Sequence, residues 1–225
     1  QSKRGFTPSI ENRYNTRKGT QGSLRGSFID DKITKESYWK VDATHDQALP
    51  EGWQLTGVLD LEGKEYNKTF TDDTNLRNRR ISNSFATLRK RGESSSFEIL
   101  TRYRDSTDIA SDQTLGELPQ ITYKHQRQEI GDSEFYFSQD TLFTSFLTDL
   151  DSSTDVDRFF SVQRLYFHPQ LTRSINIAPW LNFASTIGLR ETIYSKGQNN
   201  AGYFSREGLD FNANIKGPTF EKVFH

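Results

Sequence analysis

The chain has 225 residues, 32% hydrophobic and 26% charged, with a formal net charge of -1 and a mean hydropathy of -0.79. Its balance of 29 basic and 30 acidic residues provides no basic field to recruit nucleic acid, and with no cysteine it has no disulfide framework, thiolate zinc site or cysteine nucleophile. Seventeen Phe, 9 Tyr and 3 Trp are too many aromatics for a disordered segment. No apolar run approaches the roughly 20 residues of a membrane-spanning helix.

Period-two stretches bounded by turn residues predict about eleven strands, at 5–15, 20–30, 36–46, 53–62, 80–90, 95–105, 118–130, 133–147, 157–171, 178–194 and 203–216. Several match or exceed the roughly 9 to 11 residues with which a tilted strand crosses a bilayer, and no helix of three turns is expected. In chain order the connections alternate. TRKG is tight, DDKITKE longer, ALPEG tight, GKEYNKTFTDDTNLRNR long, RGES tight and STDIASDQTLGE long. Then come the tight Gly131-Asp132, the longer DLDSSTDVD, the short TRSINIA and the longer SKGQNNAG.

In an up-and-down antiparallel sheet, alternate connections lie at the same end, so this pattern puts turns at one end and loops at the other. That is the asymmetry of outer-membrane barrels, and a Greek-key sandwich has no reason to show it. Face alternation agrees. Phe97, Ile99 and Tyr103 oppose Glu98, Arg102 and Arg104; Trp53, Leu55, Leu59 and Leu61 oppose Gln54, Thr56, Asp60 and Glu62; Leu209, Phe211 and Ile215 oppose Asp210, Asn212 and Lys216. The expectation is an all-β fold: an up-and-down antiparallel transmembrane β-barrel segment of about eleven strands, part of a larger barrel, with its apolar face to lipid and its polar face to a hydrated lumen. A soluble β-sandwich binding module is the rival, since it satisfies the same alternation with the polar face outside.

Signals of catalysis are missing. His45, His125, His168 and His225 are scattered without a metal-binding spacing and read as polar strand or terminal residues. Asp149, Asp151, Asp155 and Asp157 lack the glycine and the twelfth-position glutamate of a calcium loop. Arg77, Arg79, Arg80, Arg89, Lys90 and Arg91 lie near the two ends of one predicted strand, as solvated loop charge or as partners for glycolipid phosphates. Pro8, Pro119 and Pro169 mark strand ends, edges or gaps in pairing.

The stretch THDQALPEGWQLTGVLDLEGKEYNKTF, residues 44–70, resembles the LptD (OstA) family of outer-membrane lipopolysaccharide-assembly proteins. The likeness rests on Leu49, Pro50, Gly52, Trp53, Tyr66 and Phe70. ELPQITY at 117–123, RLYFHPQLTRSI at 164–175 and the hairpin RYNTRKGTQGSLRGSFIDD add to it. Departures are Glu62-Gly63, where the family has Ser-Asp, and the absence of the family's cysteines.

The resemblance implies a non-enzymatic conduit in the cell outer membrane that inserts lipopolysaccharide into the outer leaflet. It also implies an outer-membrane lipoprotein plug of the LptE kind inside the barrel. Lipid would arrive over a periplasmic transport bridge, through an N-terminal jellyroll. Residues 1–225 would then be a partial barrel domain, with jellyroll and closing strands outside it. Glu98, Arg102, Lys124, Gln126, Asn182, Arg190, Asp210 and Asn212 are the expected lumen-facing contacts to substrate or plug. No cofactor is expected, and another outer-membrane porin or receptor is the remaining alternative.

Overall fold

The computed structural model describes residues 5–63, 65–70, 81–106, 113–150, 159–196 and 202–218. Eleven strands form one sheet in strict sequence order: β1 (Ser9–Asn15), β2 (Thr20–Asp31), β3 (Glu36–Ala48), β4 (Trp53–Glu62), β5 (Ile81–Arg91), β6 (Ser95–Ser106), β7 (Gln113–Glu129), β8 (Phe135–Leu150), β9 (Phe159–Ala178), β10 (Leu181–Tyr194) and β11 (Phe204–Lys216). Each strand pairs with its neighbours in the chain, and β1 and β11 are the two edges. One short helix, α1 (Tyr66–Phe70), lies between β4 and β5. Residues 1–91, 98–121 and 144–162 form one compact unit, and 92–97, 122–143 and 163–225 a second.

The expected strands are all present, with instructive differences. β9 continues through TRSINIA to Ala178, leaving Pro179 and Trp180 as the turn, because Ile175 and Ile177 keep the alternation going. β7 begins at Gln113 and runs through a cis Leu118-Pro119 bond. The β2–β3 connection shrinks to residues 32–35, closed by the Lys35 amide donating to the Asp31 carbonyl (2.8 Å). It is therefore no longer than the β1–β2 turn at residues 16–19, which weakens the alternation of loop lengths at that one connection. Residues Arg77, Arg79, Arg80, Asp151, Asp155, Asp157 and His225 lie outside the described residues, as does the side chain of Asp149.

Burial separates the rival folds. A sandwich of this size would hide its apolar residues between two layers. Here the buried apolar side chains among the described residues are Ile29, Tyr38 and Leu100, whereas Leu24, Phe28, Trp39, Leu59, Ile187, Leu209, Phe211 and Ile215 are exposed. Directly opposed residues of an antiparallel pair share a face, and the register joins Leu24 to Ala43, Ala43 to Leu59, and Leu171 to Ile187 to Phe211. The apolar face of the sheet is thus continuous within each unit and uncovered.

The small core has a local cause. Tyr66 and Phe70 sit one helical turn apart on α1, so both project to one side. The Tyr66 hydroxyl bonds to Ser27 Oγ (2.7 Å), and the Phe70 ring meets the Tyr38 ring edge-on at 4.9 Å. Ser27 and Tyr38 lie on the polar face of β2 and β3, so α1 folds over that face, where Ile29, Asp31, Tyr38 and Glu62 are buried. The Gly63 amide donates to the Trp39 carbonyl (2.8 Å) and fixes the departure of the chain from β4.

One glycine permits a close approach on the opposite face. Tyr14 lies across Gly22, its cross-strand partner, and its hydroxyl reaches His45 Nδ1 (2.6 Å). A Cβ on Gly22 would fall inside van der Waals contact with both the Tyr14 hydroxyl and the Thr44 carbonyl. Gly22→Ala is therefore expected to cost about 1–3 kcal/mol through overpacking, measured by urea titration of the protein folded in lipid vesicles. An unchanged midpoint would remove this contact as a determinant of register.

Candidate functional site

The polar face of the first unit is a ladder of opposite charges on neighbouring strands. Glu11 binds Arg13 (2.6 Å) and Arg25 (3.4 Å), and Lys40 lies between Asp42 (3.6 Å) and Glu62 (3.5 Å). Further along the sheet Arg89 donates through Nε to Glu98 (2.6 Å), and Glu117 receives Arg102 (3.1 Å) and Arg104 (3.7 Å). Each partner comes from an adjacent strand or from two residues along the same strand, the two spacings that share a face. Glu98 and Arg102 thus lie on the polar face of the sheet, and each is engaged in an ion pair.

The second unit presents different chemistry. Its register places the even-numbered residues of β9, β10 and β11 on one face in rows across the strands. Toward the tight-turn end the rows are neutral apart from Lys216, which opposes Asn182. Thr172 and Thr186 share a hydroxyl hydrogen bond (2.9 Å), and the Asn182 amide donates to Asn176 (2.8 Å) and Ser174 (3.1 Å), with Asn212 opposite Thr186. In the middle, Arg190 Nη2 lies 2.6 Å from each carboxylate oxygen of Asp210, and His168 Nε2 is 3.1 Å from Asp210 Oδ2.

His168 reaches Asp210 across β10 because residue 188 is glycine. A Cβ there would stand 3.0 Å from His168 Nε2 and 3.2 Å from Gln170 Cγ. The cluster sits where the β9–β10 ladder is interrupted: pairing runs to Gly188 with Gln170 and resumes at Glu191 with Phe167. Pro169, which has no N–H to donate, occupies the gap. Side-chain bonds spanning three strands stand beside a missing backbone bond.

Of the expected contacts, Asn182, Arg190, Asp210 and Asn212 therefore share one face of β10 and β11, and Glu98 and Arg102 lie on the polar face of the first unit. Lys124 and Gln126 are exposed on β7, the Gln126 amide donating to the Ser94 carbonyl (2.7 Å). Reading the sequence missed Glu117, took His168 for a polar strand residue and took Arg89 for loop charge or a phosphate contact, because a cross-strand partner is invisible until the register is known. Gly188, interrupting a strand, was the available signal of a close approach.

At the tight-turn end, the apolar face of each unit carries aromatic rings with polar companions. In the first, Lys90 Nζ stands 5.5 Å over the Trp53 ring and 3.4 Å from Glu51. In the second, the Arg173 guanidinium lies 5.2 Å over the Phe135 ring and 3.5 Å from Glu134, with Trp180 exposed in the turn after β9. Rings with a wet edge and an apolar body mark the membrane interface.

An antiparallel up-and-down sheet, apolar and bare on one face and polar on the other, is the wall of an outer-membrane type β-barrel. The family model for LptD, LPS transport system D, matches residues 36–219, more than half of the chain. The chain belongs to the LptD family, which serves lipopolysaccharide transport to the outer membrane. Among curated proteins none matches it.

Proposed function

We propose that this chain is part of the barrel wall through which lipopolysaccharide is inserted into the outer leaflet of the outer membrane, as a non-enzymatic conduit. The sugar and phosphate portion passes along the polar face, while acyl chains leave sideways into lipid. The observation that carries this reading is the separation of faces: within each unit a continuous exposed apolar face backs a polar face of ion pairs, amides and hydroxyls. A hydrated wall of that kind offers a saccharide hydrogen bonds that hydrocarbon cannot.

Two partners belong to the same reading. A lipoprotein plug of the LptE kind would meet the charged ladder of the first unit, where Glu98 and Arg102 provide fixed, oppositely charged contacts. A periplasmic bridge would deliver the lipid through a jellyroll domain of the same protein. The unpaired edges of β1 and β11 favour further strands beside this segment, since an uncovered edge is a template for aggregation.

Site-specific photo-crosslinking in cells tests the conduit. A crosslinker at Asn182 or Asn212 is expected to capture lipopolysaccharide in transit, and one at Glu98 or Arg102 the lipoprotein. If neither amide position captures lipopolysaccharide while cells display it normally at their surface, the polar face is not its path.

A further inference from the structure

We propose that the loop end of the polar face of β9, β10 and β11 is a binding site for an anionic saccharide, built on Arg206, Phe204, Tyr194, Tyr166 and Arg164. The proposal rests on the transport reading and adds to it a specific contact point and a ligand class. Two rows of the register carry it: Arg164–Tyr194–Phe204, and beside it Tyr166–Thr192–Arg206. The first row sets one guanidinium beside two aromatic rings, and the second sets a ring and a guanidinium on either side of a threonine. Three strands at about 4.8 Å spacing and one same-face step of about 7 Å make a platform with the footprint of a small saccharide.

The contacts within it fit that ligand. The Arg206 guanidinium lies 5.4 Å over the Phe204 ring, and the Phe204 and Tyr194 rings are tilted at 6.2 Å. Phe204 is 44% exposed, so its ring is open to a ligand. Arg206 has no carboxylate partner among the described residues. Glu207 and Glu191, which oppose one another, fall on the other face by parity. The next guanidinium along the face, Arg190, is by contrast neutralised by Asp210.

An unneutralised guanidinium takes a phosphate or carboxylate by charge-assisted hydrogen bonds. Aromatic rings beside it stack on the apolar C–H faces of a sugar. Together they select a sugar bearing an anionic group over either a neutral sugar or a bare anion. Further along the same face, the neutral row of Thr172, Thr186 and Asn212 lacks both features.

The test is saturation-transfer NMR titration of the detergent-folded protein with glucose 6-phosphate, glucose and inorganic phosphate. Glucose 6-phosphate should bind about tenfold more tightly than glucose, and Arg206→Gln should remove that advantage. Phe204→Leu should weaken glucose 6-phosphate severalfold and leave inorganic phosphate unchanged. Glu207→Gln, on the other face of the same strand, should change nothing.

Absence of glucose 6-phosphate binding, or equal binding by wild type and Arg206→Gln, would overturn the site. So would Phe204→Leu behaving as wild type, which would mean that Arg206 merely attracts anions. Because binding is read on isolated protein, a protein that binds the sugar phosphate but captures no lipopolysaccharide in cells fails only the transport reading.

Discussion

Replacing Ile187 with arginine is expected to lower the stability of the protein folded in lipid vesicles by about 2–4 kcal/mol. Ile187 stands at the middle of β10 on the apolar face, 53% exposed, with Leu171 and Phe211 directly opposite on the flanking strands. In a bilayer those three side chains meet acyl chains, and a guanidinium among them lacks both water and a counter-charge. Ala184→Arg, three residues away on the polar face, should cost less than about 1 kcal/mol because its charge stays hydrated. Urea-induced unfolding from vesicles measures both. Were the costs reversed, the two faces would be assigned the wrong way round, and the transport reading would go with them.

Tyr38→Ala is expected to cost about 3 kcal/mol or more, the loss of a buried aromatic ring together with the cavity it leaves. Tyr38 is 5% exposed and is the partner on which the Phe70 ring of α1 rests. Without it, α1 retains the Tyr66–Ser27 hydrogen bond but loses its apolar seat. Tyr38→Phe isolates the ring from the hydroxyl. It keeps the packing and gives up the bond to Glu36 (2.8 Å), so a loss of about 1 kcal/mol is expected. If alanine and phenylalanine cost the same, the ring contact with α1 contributes nothing and the seating of α1 on the polar face has another cause.

Much of the fold was legible because strands have a period of two. Trp53–Glu62 was bounded correctly at both ends, since its alternation begins after a proline-glycine turn and stops at a glycine. Of the readings a strand proline allows, a local gap in pairing is the one that holds at Pro169, where the β9–β10 ladder is interrupted. Pro119 and Pro169 lie inside β7 and β9, because a missing donor interrupts one ladder locally without turning the chain. The brevity of the β2–β3 connection was hidden for a different reason. Asp30, Asp31 and Glu36 look like loop residues by composition, yet Asp30 and Asp31 end β2 and Glu36 begins β3, in pairs of the β2–β3 ladder.

The candidate site was legible only in part, and the line falls at register. Asn182, Arg190, Asp210 and Asn212 could be placed on one face by counting along a single strand. That Arg190 is held by Asp210, that His168 joins them over Gly188, and that the Tyr194 ring meets the Phe204 ring depend on which residue of one strand opposes which residue of the next.

By itself, then, the order of amino acids determined the strand count, the up-and-down order and the two opposed faces. Each of these follows from local periodicity and from turn residues spaced along one chain. Only the tertiary structure decided which charges neutralise one another and where α1 folds back. Those outcomes turn on distances between residues far apart in sequence, and a period of two carries no information about them.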